Sequence, residues 1–251
     1  MSHLPLQPIA SSKLLLMAVA AALGSAPLSA EDLFEETVIA NRDWQPMQVI
    51  PLEEQDRACR QCGGRFADPL AGVDLSQSPT EADLEVSADD TEVTEGDLLF
   101  EGNVSLKQGY RQVTADQVTA DRARETATAT GNVIFREPGI LIRGSRIDYD
   151  SQSEEAIVTD ARYVIHDRRM VGSAVQLKRL GNGEIAIDDG RMTYCSPEDP
   201  EWILYADELE IDPVSGDAQA WGAKLKIADV PVMYLPWIRF PVDSRRKTGV
   251  L

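Results

Sequence analysis

Ala115-Asp116, then Asp121 five residues on, then Gly131-Asn132-Val133-Ile134-Phe135 ten residues further form a pattern that the chain repeats. Gly144-Ser145 leads to Asp150 and then to Asp160-Ala161-Arg162-Tyr163, and Ala206-Asp207 leads to Asp212 and then to Gly222-Ala223-Lys224, with the same spacings of five and ten. Gly102-Asn103-Val104-Ser105-Leu106 lies 29 residues before the Gly131 segment, and a degraded copy fits Gly172-Ser173 to Met192. The chain thus holds about five units of roughly 29 residues. Between the fixed points, Val, Ile and Thr alternate with polar residues, the pattern of a strand with one buried face. Turn-forming residues cluster where the alternation stops, as in Asp150-Ser151-Gln152-Ser153 and Asp212-Pro213-Val214-Ser215-Gly216. Each unit reads as strand, turn and strand: residues 117–120 before 128–135, and 208–211 before 218–227.

A unit of two strands cannot bury its own apolar side, whereas stacked units line one continuous interior with alternate side chains from successive strands. Residues at i and i+2 share a face. The inward pairs predicted on that basis are Val104 and Leu106, Val133 and Phe135, Ile140 and Ile142, Ile147 and Tyr149, Tyr163 and Ile165, Val175 and Leu177, Ile185 and Ile187, Leu209 and Ile211, and Leu225 and Ile227. Ile134 then faces outward. Two readings follow. The side chains pack on each other as a closed core, or they line an interior wider than they fill, which takes up an apolar ligand.

Upstream of the repeat, residues 31–83 hold no sustained period and carry Pro46, Pro51, Pro69 and Pro79, with Gly63-Gly64 after a cysteine pair, which predicts an extended tail. Residues 1–30 contain no Asp or Glu, one charge at Lys13, an apolar run from Leu14 to Leu23 and a stretch ending at Ser29-Ala30, the layout of a cleavable secretory signal. That run is about ten residues, where a membrane-spanning helix needs about twenty. The expected organisation is a signal over 1–30, a tail over 31–83, a repetitive β domain over 84–228 and a proline-rich bridge over 229–251.

With 24 basic against 42 acidic residues and a net charge of −18, the surface repels nucleic acid. It repels anionic membranes as well, so an anionic lipid partner has to be gripped by its apolar part. Cys59, Cys62 and Cys195 all lie in the exported part, where thiols oxidise, and an odd count leaves one without a partner in the chain. Cys59-x-x-Cys62 fits a structural disulfide, a redox pair or half of a zinc site, and His166 is the one histidine beyond the signal that would add a ligand. The disulfide reading is preferred, and neither a metal nor a cofactor is expected.

Asp229-Val230-Pro231-Val232-Met233-Tyr234-Leu235-Pro236-Trp237-Ile238-Arg239-Phe240-Pro241-Val242-Asp243-Ser244-Arg245-Arg246-Lys247-Thr248-Gly249 closes the chain. Proline at 231, 236 and 241 removes ladder donors and is confined to an edge strand or an extended bridge. This segment resembles the one that joins the periplasmic domain to the barrel in the LptD family of LPS-assembly proteins, and the upstream repeat resembles the OstA-like domain of that family. Together they cover residues 84–251. The resemblance implies an all-β, repetitive antiparallel jellyroll, a V-shaped sheet open along one side. In that family such a domain receives lipopolysaccharide from a periplasmic bridge protein of the LptA type by β-strand addition. It then feeds the lipid to an outer-membrane barrel that holds a lipoprotein plug, which places the chain at the periplasmic face of the outer membrane. The sequence stops at Leu251, roughly where the family's barrel begins, so the barrel is expected to be missing or a separate subunit. The resemblance also implies bonds from domain cysteines to barrel cysteines, with Cys195 matching one position and Cys59 and Cys62 matching the other loosely.

On this reading the chain is no enzyme: a groove lined by the inward pairs would hold acyl chains, the strands of residues 84–94 would offer a docking edge, and Pro231, Pro236 and Pro241 would keep a lateral opening from zipping shut. The alternative for the prolines is protection of a sheet edge. Arg245-Arg246-Lys247 reads as a solvated basic turn or as a contact to lipid phosphates. Two other classes compete, a closed structural scaffold or inactive remnant and a polysaccharide-acting enzyme. For the latter, Glu208, Glu210 and Asp212 are the available carboxylates, with a calcium site or paired acids as their chemistry. They share the face opposite Leu209 and Ile211, as a solvated strand face does, and no Gly-x-Ser-x-Gly or His-Glu-x-x-His motif occurs.

Overall fold

The computed structural model describes residues 43–55, 63–76, 79–94, 96–166, 169–194, 200–212 and 214–241. Two short strands come first, β1 (Trp44–Pro46) and β2 (Gly64–Phe66), and pair with each other. The rest is one antiparallel sheet: β3 (Leu84–Ser87), β4 (Asp90–Val93), β5 (Asp97–Gln108), β6 (Arg111–Asp121), β7 (Thr126–Glu137), β8 (Ile140–Asp150), β9 (Glu155–Ile165), β10 (Met170–Arg179), β11 (Ile185–Thr193), β12 (Trp202–Asp212), β13 (Asp217–Ile227) and β14 (Val230–Pro241). Every strand from β5 onward pairs with its sequence neighbours, while β3 and β4 both lie along β5. β14 and the β3–β4 pair are therefore the two edges, and the sheet is open. The proline segment is a strand of this sheet rather than an irregular bridge; Pro231, Pro236 and Pro241 sit exposed on its edge, where proline is tolerated.

The repeat has a physical origin that strand alternation alone does not supply. Alternate long strands are kinked near their middle. Gly102 and Asn103, Gly131 and Asn132, Asp160, Asp189 and Gly222 adopt positive φ at matching places in β5, β7, β9, β11 and β13. The register shifts beside the first two of these pairs. Such bulges bend a strand and re-aim its side chains. Side chains next to the kinks brace them: Asn103 Nδ2 donates to Asp89 at 2.8 Å, Asn132 Nδ2 to Asp116 at 2.9 Å, and Ser145 Oγ to the kink residue Asp160 at 2.6 Å. At the kink of β7 glycine is required twice over, since Gly131 has φ +74° and an added Cβ would overlap the Asp116 carboxylate. The aspartate five residues on opens a hairpin. Oδ1 of Asp121, Asp150 and Asp212 accepts backbone N–H bonds from the residues two and three positions ahead, at 2.8 to 3.1 Å.

Kinked at one level in alternate strands, the sheet folds over its own inner face. Tyr163, Val133 and Ala161 on that face are almost wholly buried, although among the described residues β1 and β2 pack on the opposite face. Within the region expected to be a tail, the described residues 43–55 and 63–76 carry β1 and β2. They form a strap in which Trp44 and Phe66 pack against Leu141, Val164, Val171 and Ile134 on the outer face of β7–β10. Burying a side chain such as Leu141 contributes about 2 kcal/mol. The strap's Asp43 carboxylate is buried and receives Arg136 Nη1 at 3.0 Å, Arg136 Nη2 at 3.3 Å and His166 Nε2 at 3.1 Å. Asp68 Oδ2 accepts the Gly139 N–H at 2.6 Å, and the His166 N–H reaches the Gly139 carbonyl at 2.9 Å, so the strap ties together the β7–β8 and β9–β10 turns. Burial pushes the Asp43 carboxyl up, but the bonds from His166 and Arg136, with their charges, more than reverse this and hold it below its ordinary value.

Candidate functional site

The strand pairing turns the inward side chains into four rows that run across the sheet, two on each side of the kink line. The outermost row on one half contains Leu106, Val113, Phe135, Ile142, Tyr163, Gly172, Met192, Leu204, Leu225 and Met233. The row next to the kink contains Val104, Ala115, Ala161, Ala174, Gly190 and Ala206, with Val133 facing Gly144. Small residues dominate where the two halves converge and large side chains would collide. Across the kink come Phe100, Val118, Ala129, Ile147, Val158, Leu177, Ile187, Leu209, Ala220 and Ile238, and beyond them Tyr149, Ala156, Arg179, Ile185, Ile211, Ala218 and Phe240.

Most of the inward pairs read from the sequence fall in these rows. Val104, Val133, Tyr163, Leu177, Ile187 and Leu209 are buried, and Leu106, Phe135, Ile142, Ile147, Ile185, Ile211 and Leu225 are half-buried. Ile140 and Ile165 pair with each other one step further out, while Tyr149 and Ile227 sit at strand ends and are more than two-fifths exposed. Val175 departs from the expectation. It lies in β10 opposite the kinks at Asp160 and Asp189, where the inward set steps from Ala174 to Leu177, and its side chain is 57% exposed. A period of two carried through the kink assigned it to the wrong face. The same displacement shows the degraded repeat in register two residues later than expected, with Ala174 rather than Gly172 beside the kink.

At the β11–β14 end the rows line an open cavity of about 240 Å³, walled by Met192, Tyr194, Trp202, Leu204, Ala223, Leu225, Met233, Leu235, Ile238 and Phe240. Only Leu225 among these was read from the sequence. The pairs Met233/Leu235 and Ile238/Phe240 carry the same i, i+2 signal but stand between the prolines, and that spacing drew the segment away from the strand reading. Among the described residues, no ionisable group other than the Tyr194 phenol lines the cavity, so these walls suit an apolar chain. Glu208 and Glu210 stand exposed on the outer face and Asp212 caps its hairpin. His166, expected within a strand, lies just past β9 and belongs to the strap contact. Residues 1–42, Cys59, Cys62, Cys195 and Arg245-Arg246-Lys247 lie outside the described residues, so the signal, disulfide and basic-turn expectations are not addressed by the structure.

The architecture defines a class: a long open antiparallel sheet, folded along one line over an apolar inner face. Residues 85–216 match the family described as LptA/(LptD N-terminal domain) LPS transport protein. The chain belongs to that family, whose members are non-enzymatic transport proteins. It is 34% identical over 240 residues to the LPS-assembly protein LptD of Chromohalobacter salexigens, covering 94% of this chain and 27% of the relative. Against the LPS-assembly protein LptD of Saccharophagus degradans it is 34% identical over 191 residues, covering 76% of this chain and 22% of the relative. The chain spans about a quarter of the length of these curated relatives. Among solved structures, LptH of Pseudomonas aeruginosa, the LptA-homologous periplasmic component of its lipopolysaccharide transport device, aligns at 20% identity with a TM-score of 0.37, covering 42% of this chain and 80% of that one.

Proposed function

We propose that this chain carries lipopolysaccharide by its acyl chains along the inner face of the folded sheet, from the β3–β4 edge toward β14. The observation that carries this reading is the apolar cavity between β11 and β14, continuous with inward rows that cross every long strand. Each methylene taken out of water there contributes about 0.8 kcal/mol, so several acyl chains are held without any ion pair. That suits an anionic lipid and a carrier of net charge −18, with sugar and phosphates left outside the groove. At the entry edge, β3 and β4 are exposed along their whole length and offer unpaired backbone to an added strand from a periplasmic bridge protein of the LptA type. At the exit edge, Pro231, Pro236 and Pro241 lack the N–H groups that a further strand would bond, which keeps a lateral opening beside an outer-membrane barrel with its lipoprotein plug. The working place of the chain is then the periplasmic face of the outer membrane.

A photo-crosslinking residue at Leu225 on the inner face, and another at the neighbouring exposed Lys224, test this in cells that make lipopolysaccharide. Lipid adducts are expected at Leu225 and not at Lys224. Equal labelling at both, or none at either in exported, folded protein, sinks the carrier reading in favour of a closed scaffold.

A further inference from the structure

The outermost inward row is not equally accessible along its length. Phe135 and Ile142 are half-buried, Tyr163, Gly172 and Met192 are buried, Leu204 and Leu225 are half-buried again, and Met233 is exposed. The interior is pinched at β9–β11. Tyr163 makes the pinch: its ring lies across Gly172, where an added Cβ would overlap it, and its hydroxyl donates a long bond of 3.4 Å to the Arg191 carbonyl. The phenol is fully buried, and burial together with the nearby Tyr194 pushes its ionisation far up. Tyr194 and Met192 are themselves walls of the β11–β14 cavity, so the ring ends at that cavity's boundary. Met170 and Met192 pack in the same cluster, and thioether chains give way more readily than the Val and Ile side chains on either side.

We propose that Tyr163 is the gate of the groove, a positioning residue whose ring separates an entry compartment along Leu106–Ile142 from the discharge cavity at Leu204–Met233. An acyl chain passes only when the ring leaves Gly172, with Met170 and Met192 yielding around it. The ring does the closing and the hydroxyl adds little, because its bond is long. This rests on the carrier reading and assigns one residue the control of flow within it.

The test uses the full chain with a photo-crosslinking residue at Ile142 or at Leu225, loaded with purified lipopolysaccharide. In the wild type, adducts at Leu225 should exceed those at Ile142 severalfold, because a chain seated in the cavity stops at the ring. Y163A and the milder Y163L should raise the Ile142 signal severalfold and leave Leu225 within about twofold, while Y163F should behave as the wild type. Addition of lipopolysaccharide should also shift the ring-proton resonances of Tyr163 in the unmodified chain. Wild-type labelling equal at the two positions, an Ile142:Leu225 ratio indifferent to both Y163A and Y163L, or Tyr163 resonances that ignore the lipid would each overturn the gate. Labelling at Leu225 that persists through all of these leaves the carrier reading standing without the gate, whereas no labelling anywhere removes both.

Discussion

Strands β7–β10 and strands β12–β14 share the same inner rows, yet they differ on the other side of the sheet. Under the strap, the outer face of β7–β10 is buried, with Leu141, Val164 and Val171 as inaccessible as any core residue. Around β13 and β14 the outer face is bare among the described residues: Lys224 and Tyr234 are exposed and Trp237 is half-exposed. Among the described residues, the outer face is thus covered over β7–β10 and bare over β12–β14. The cavity lies under the bare part, where no described strap residue backs the strands that line it.

The comparison breaks most readily under the strap. Leu141→Ala should destabilise the chain by about 3 kcal/mol in urea unfolding, since it empties a fully enclosed site, while Leu225→Ala, on the cavity, should cost under about half as much. A ratio near one would mean that the two ends are equally packed. Asp43→Asn should cost about 2 kcal/mol by leaving Arg136 and His166 short of a charged acceptor, and amide exchange should rise in β1, β2 and the β7–β10 turns but not in β12–β14. Gly131→Ala should cost about 1–2 kcal/mol, from its left-handed backbone and the overlap with Asp116. Val175→Thr, at the exposed kink position, should stay within about 0.5 kcal/mol.

Acid sharpens the same contrast. Because the folded Asp43 carboxyl titrates below its ordinary value of 3.8, its contribution is fully present above that value and is lost as the pH falls through the depressed folded one. Protection of the strap amides should therefore be unchanged between pH 7 and pH 5 and fall only well below pH 4, ahead of β12–β14. Strap release already at pH 5 would show that Asp43 is not the anchor.

Legibility in the sequence followed the range of the interactions. Asp121, Asp150 and Asp212 act on residues two and three positions away, so turn chemistry and the unit length could be read directly. The edge position of β14 could be read from Pro231, Pro236 and Pro241, since a missing N–H is a property of the residue itself. Val175 could not be placed, because its face depends on the backbone opposite it, where Asp160 and Asp189 on the neighbouring strands adopt positive φ. Nor could the strap, whose Asp43 meets Arg136 and His166 across 93 and 123 residues of chain.

By itself the sequence determined an exported-looking, acidic, all-β repeat with an apolar face and a proline-marked edge, all consequences of local periodicity and residue chemistry. Only the tertiary structure decided that the sheet folds at the repeated Gly-Asn and Asp positions, that β1 and β2 clamp the outer face of β7–β10, and that the Tyr163 ring lies across Gly172. Those outcomes come from side chains brought together by strand stacking and from the collision of opposed rows at the fold line, and no single stretch of chain encodes such distances.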